Sequence, residues 1–148
     1  MDKMEKNIEY LMKEYLQTDD RLKRNSIIPI LAYEFNYYMD CLSTDLIRNN
    51  QNDNEICYKV FLNWSKFNFQ IAKDYDRALS AIEKAIENAD KSNNKIIGEL
   101  YYLKSRCLTK LGKYESALNF INKAFELGYC SKEEALMDLN EIKLGLNI

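Results

Sequence analysis

The side chains with the most chemical potential in this 148-residue chain are four cysteines, at positions 41, 57, 107 and 130, and adjacent carboxylates such as Asp19-Asp20 and Glu133-Glu134. A cysteine nucleophile needs a base to make its thiolate, and the chain contains no histidine. Cys57 and Cys107 therefore lack the usual imidazole partner, and a Ser-His-Asp triad or a His-ligated metal is excluded. No CxxC pair occurs among the four cysteines. Their scatter suits buried or free thiols in a reducing compartment rather than a disulfide frame or a zinc site. Carboxylate pairs on exposed helical turns act as caps and solubilising charge. There is no Gly-rich phosphate loop. These absences predict no catalytic residue, no metal and no cofactor.

The elements that must position any remaining function are helical. With 47% hydrophobic and 30% charged residues the chain has a soluble globular balance, and its length suits one domain. Lys and Arg total 21 against 23 Asp and Glu. That balance lacks the basic footprint of a nucleic-acid binder. No apolar run approaches the ~18 residues of a membrane span, and the start, Met1-Asp2-Lys3-Met4-Glu5-Lys6, has no apolar leader. A cytoplasmic protein binding neither membrane nor nucleic acid is expected. One Pro and four Gly leave room for long helices.

Apolar spacing places the first helix over 2–17, with Ile8, Leu11, Met12, Tyr15 and Leu16 on one stripe. A second is expected from Ser26 to Arg48, with Pro29 in its first turn. The run Arg21, Lys23 and Arg24 before it is taken as a solvated turn. The polar segment from Asn49 to Asn54 is a loop and separates an N-terminal helical pair, 1–50, from 54–148. The two parts are expected to form one continuous domain. Further helices are expected over 54–72, 75–91, 95–111, 114–127 and 131–144, about seven in all. Gly112 and Gly128 fall just past helix ends, where a left-handed residue is wanted. Ser131 and Glu134 have capping-box spacing. Trp64, the only tryptophan, is expected in the core.

Residues 73–87 and 112–126 align without a gap at an offset of 39, with seven of fifteen positions identical. Such a fixed offset marks stacked helical hairpins. Ala78 and Ala117 are small where the two helices of a hairpin cross closely. Ala85 and Ala124 repeat that face seven residues on. Tyr75 and Tyr114 cover the corner, and Ile82 and Ile121 fill the interior. Ser105, flanked by Tyr101 and Leu108, is a small residue on the facing helix.

This pattern resembles the tetratricopeptide repeat family over about two repeats, residues 59–129. The second hairpin carries Tyr101, Ser105, Leu111-Gly112-Lys113-Tyr114, Ala117 and Ala124. The first matches only in its second helix: Lys66 stands where a small residue is usual, and Ala72-Lys73 replaces Leu-Gly. The resemblance implies an all-α stack of TPR-like hairpins with a C-terminal capping helix. The offset exceeds the family's ~34 residues, and the excess is assigned to 87–91 and the loop after it. Longer repeats occur in bacterial tetratricopeptide regulators that sense short peptides.

The resemblance also implies a concave face lined by the first helix of each pair. It would carry Asn63, Phe67 and Gln70 from one hairpin and Glu99, Tyr102, Arg106 and Lys110 from the next. Amides bond a peptide backbone, aromatic rings supply stacking area and Arg grips a carboxylate. A chaperone-tail carboxylate clamp is disfavoured, because Phe67 and Leu103 stand where it needs polar groups. The aromatic cluster Tyr33, Phe35, Tyr37 and Tyr38 offers a second surface. Tyr33, Tyr37 and Tyr38 are candidates for self-association. The expected function is non-catalytic binding of a protein or peptide by an adaptor or regulator. The alternatives are a structural or regulatory subunit that homodimerises through the N-terminal aromatic helix, and a peptide-sensing regulator of bacterial type.

Overall fold

The computed structural model describes residues 2–49, 54–129 and 132–147, and among them every regular element is helical. Seven α-helices occur in the order α1 (Asp2–Gln17), α2 (Arg21–Asn49), α3 (Asn54–Phe67), α4 (Tyr75–Asn88), α5 (Asn94–Lys110), α6 (Tyr114–Glu126) and α7 (Lys132–Leu146). A π turn, Asn68–Ala72, follows α3 directly. The chain divides into two compact units, Met1–Asp53 and Asn54–Ile148. The Asn50–Asp53 stretch lies outside the described residues, as does Ser131, on which the expected capping box rests.

In the first unit α1 packs on α2. Ile8 is buried and Leu11, Met12 and Tyr15 are half-buried, as the stripe requires, but Leu16 is exposed. The second helix begins five residues before the expected Ser26. The Asp20 carboxylate accepts the backbone N–H groups of Leu22 and Lys23 at 3.0 and 3.4 Å, a side-chain cap that satisfies otherwise orphaned donors. The basic run is thus the first turn of α2 rather than a connecting turn, with Arg21 and Lys23 exposed to solvent as expected. Arg24 donates to the Thr18 carbonyl at 2.7 Å and lies 5.4 Å from the Tyr15 ring centre, tying the corner. Pro29 consequently sits inside the helix rather than in its first turn. Ile27, Leu31, Phe35 and Tyr38 are buried at helical spacing.

In the second unit α3 packs on α4 and α5 on α6, so the chain forms two successive helical hairpins. Ala78 and Ala117 are both fully buried, as are Ile82, Ile121, Ala85 and Ala124. A methyl group at each crossing lets the paired helices approach closely. Ser65 donates to the Ala78 carbonyl at 2.9 Å, and Ser105 donates to the Ala117 carbonyl at 3.0 Å. The two bonds are equivalent, yet the first spans 13 residues and the second 12. The extra residue is absorbed by the π turn, whose wider ring holds one residue more than an α-helical turn. The corner confirms the count. The Asp74 N–H reaches back six residues to Asn68 (2.9 Å), whereas the Lys113 N–H reaches back five to Leu108 (2.9 Å). Ser65, not Lys66, is therefore the small crossing residue of the first hairpin, and that hairpin departs less from the family pattern than its ungapped alignment implies.

The corners use different residues for one conformation. Gly112 has φ +76° and Lys73 has φ +56°. The left-handed region is open to Gly and costs a side-chain-bearing residue about 1 kcal/mol. The α4 helix ends at Asn88, so the long repeat is accommodated by the loop before α5 and not by extra helix. Asp90 turns that loop by accepting from Ser92, and Asn93 caps α5 at the N–H of Ile96. One core joins Ile82, Ala85 and Ala89 to Ile97 and Leu100, uniting α3, α4 and α5. The next joins Leu108, Ala117, Ile121 and Ile142, uniting α5, α6 and α7. At Gly98 an added Cβ would lie 2.7 Å from the Tyr129 Cβ, so glycine lets the chain after α6 pass the start of α5.

Candidate functional site

A cleft opens between the first hairpin and α5. It is a shallow surface cleft, lined by Ser65, Lys66, Phe69 and Gln70 on one side and by Leu103, Arg106 and Cys107 on the other. The π turn builds one wall. It presents Phe69 and Gln70 beside Lys66, while the buried amide of Asn68 donates to the Trp64 carbonyl at 2.8 Å where the bonding pattern changes. The wall on α5 follows from spacing, because 103, 106 and 107 share one helical face.

The expected groove residues distribute unevenly. Gln70 and Arg106 line the cleft, and Arg106 and Lys110 line an adjoining hollow. Phe67 does not: it is 4% exposed and stacked 5.5 Å from the half-buried Trp64. The physical reason is the added residue in the π turn. Matched through the serine bonds, Phe67 corresponds to Cys107, a buried position, and Lys66 corresponds to Arg106. Asn63 is half-buried and takes no part in the cleft wall. Glu99 forms an ion pair with Lys66 at 3.4 Å, bridging the two hairpins at the cleft rim. Tyr102 packs on Tyr129 at 5.7 Å between ring centres and donates a hydrogen bond to the Asp138 carboxylate.

Two contributors were not foreseen. Phe69 supports Arg106, whose guanidinium lies 4.9 Å from its ring centre and 5.9 Å from that of Tyr102. Such stacking fixes the guanidinium plane and leaves its N–H edge for a ligand. The signal for Phe69 was the one-residue difference between the Ser65–Ala78 and Ser105–Ala117 spacings. The second contributor is α7, expected only to cap the stack. Asp138 and Glu141 of α7 join Phe69, Arg106, Thr109 and Lys110 around the adjoining hollow. With Ile142 in the core and the Tyr114 ring laid across Gly145, α7 is held against the second hairpin.

The thiol of Cys107, at the cleft floor, is pushed up to about 12 by burial, with the nearby Arg106 charge opposing only in part. A thiol so held stays protonated and is a poor nucleophile. Among the described residues, Cys41, Cys57 and Cys107 take part in no disulfide bond. No group of three or more metal-ligating side chains converges among the described residues, and no helix among them is long and apolar enough to cross a membrane.

On the first unit, Tyr33 and Tyr37 are 68% and 52% exposed, with rings stacked at 6.4 Å and 7°. Ile30 continues their stripe and is also exposed. Tyr38 is fully buried and is a core residue, not part of that surface. Its position one residue from Tyr37 turns it about 100° around the helix.

Paired helices crossing at small residues, with a cleft along the first helix of each pair, define a TPR-like helical domain. Residues 25–129 match the RNPP family C-terminal domain. The match covers more than half of the chain, and the chain belongs to that family. The RNPP C-terminal domain is a TPR-like helical domain of peptide-sensing regulators. Comparison with the curated proteins and with the solved structures finds no match.

Proposed function

We propose that this chain is a non-catalytic peptide-sensing module whose ligand, a short linear peptide, lies along the cleft between the π turn and α5. The observation that carries this reading is the cleft's composition. Phe69 and Leu103 offer apolar area, Gln70 offers an amide for an extended backbone, and the stacked Arg106 offers a charge-assisted donor. The family of the chain supports the same class of ligand. In this reading Gln70, Tyr102, Arg106 and Lys110 are binding or supporting residues. Glu99 sets the position of Lys66, and Asn63 and Phe67 shape the helix behind the wall. The hairpins from α3 to α6 act as two TPR-like repeats, with α7 completing the groove.

A ligand that binds only the folded state raises the melting temperature by mass action. Thermal melts with pooled short peptides are expected to show a saturable rise. Leu103→Glu, which puts a charge in the cleft wall, is expected to abolish it, and Tyr33→Ala to leave it intact. The reading is overturned if no pool raises the melting temperature, or if Leu103→Glu changes nothing.

The exposed stacked pair Tyr33 and Tyr37 with Ile30 favours one further reading: that α2 carries a self-association face and the module works as a homodimer. Light scattering of the Tyr33→Ala, Tyr37→Ala double variant tests it. Loss of a dimer present in the unsubstituted chain supports it, and a monomer at all concentrations refutes it.

A further inference from the structure

Resting on the peptide reading above, we infer that the hollow between α5 and α7 is a subsite for a dipolar group: an anion and a cation carried within about one residue of each other on the ligand. Four charges line it in two opposed pairs. Arg106 and Lys110 come from one face of α5, and Asp138 and Glu141 come from one face of α7. Among the described residues none of the four is in an ion pair. Lys66, at the neighbouring rim, is neutralised by Glu99.

Two of the four charges, Arg106 and Asp138, are held in place by neighbouring rings. Arg106 is stacked on Phe69 and Tyr102, and Asp138 is gripped by the Tyr102 hydroxyl, so one ring links the cationic and anionic walls. Ile142, one residue beyond Glu141, is fully buried and fixes the rotation of α7. Opposed charges that line one hollow without pairing with each other are complementary to a ligand that carries both signs. A lone carboxylate entering beside Arg106 faces Asp138 and Glu141, and a lone cation faces Arg106 and Lys110. Juxtaposing like charges discriminates against either. This separates the hollow from a simple carboxylate clamp, which has no acidic wall.

The dipolar group has two sources in a linear peptide. One is a free chain end, with the terminal carboxylate beside a basic last side chain. The other is an adjacent acidic and basic side-chain pair within the chain.

The test uses the full chain and five pools of acetylated hexapeptides, with the remaining positions drawn from Ala, Leu, Phe and Ser. One pool ends in Lys with a free carboxylate. A second is amidated and carries an internal Asp-Lys pair. The third ends in Ala with a free carboxylate (anion alone), the fourth in Lys amide (cation alone), and the fifth is uncharged and amidated. Affinity is read by calorimetry and by melting temperature. A dipolar pool is expected to bind about tenfold more tightly than either single-charge pool, the worth of one charge-assisted hydrogen bond. Which dipolar pool wins identifies the source.

Two exposed positions keep folding out of the result. Lys110→Gln is expected to reduce the dipolar advantage, and Glu141→Lys to move the preference to the anion-only pool. Equal binding of the dipolar, single-charge and uncharged pools overturns the inference and leaves the peptide reading standing. An anion-only preference in the unsubstituted chain does the same. Absence of binding by every pool overturns both.

Discussion

The two hairpins of the second unit solve one packing problem with different residues, and their differences locate the site. Both place a serine against the carbonyl of a fully buried alanine at the same distance within 0.1 Å. The second hairpin reaches its corner by an α-helix closed with Gly112. The first inserts a residue, widens into a π turn and closes on Lys73 in the left-handed region. π turns of this kind are frequent at functional sites, and here the turn supplies Phe69 and Gln70 to the cleft. The regular hairpin supplies the rigid wall, and the irregular one supplies the side chains that shape the opening.

The largest effect is expected where the hairpins agree. Ala78→Leu and Ala117→Leu each force a large side chain between crossing helices and should cost about 1–3 kcal/mol in chemical denaturation. A substantial difference between the two would break the equivalence of the crossings. The next effect separates the corners. Gly112→Ala places a Cβ at φ +76° and should cost about 1 kcal/mol, whereas Lys73→Gly should raise stability by up to about 1 kcal/mol. If Lys73→Gly destabilises, its left-handed conformation is supported by something beyond the backbone. A comparable contrast holds at the start of the second helices. Asp74 caps α4 through the N–H of Arg77, while Lys113 gives α6 no side-chain cap. Asp74→Ala should cost about 1 kcal/mol and Lys113→Asp should gain a similar amount.

A further effect, confined to alkaline pH, sharpens the match of Phe67 with Cys107. Only the second hairpin carries a titratable group at that buried position. The thiol's folded value of about 12 stands above the ordinary 9.0. Its contribution to stability is therefore complete below pH 9 and is lost as pH rises from about 9 through 12. Cys107→Val should flatten that alkaline limb of the stability profile. In the native state at pH 8 a disulfide reagent should leave Cys107 unmodified, and fast labelling there would contradict its burial.

Much of the second unit was legible because its signals are local. An alanine at a helix crossing and a glycine at a left-handed corner are demands that a single residue type meets, so Ala78, Ala117, Gly112 and Gly128 could be read directly. The π turn could not. The ungapped repeat from 73 to 87 begins beyond the inserted residue and cannot register it, and the same slip put Phe67 where Lys66 belongs. The acidic wall escaped for another reason. The α7 sequence spreads Leu136, Met137 and Leu144 into solvent along with its charges, so periodicity alone did not show that Asp138 and Glu141 turn toward α5. In the first unit the Asp20 cap was hidden by the basic residues that follow it, and Tyr38 was grouped with exposed tyrosines by composition rather than by helical phase.

The most direct test of the peptide-sensing account is amide chemical-shift mapping of the isotope-labelled chain titrated with the tightest-binding peptide of the pools. The account predicts saturable shifts concentrated at Lys66–Gln70, Leu103–Lys110 and Asp138–Glu141. Shifts concentrated instead at Ile30–Tyr37, with the cleft amides unmoved, would contradict it.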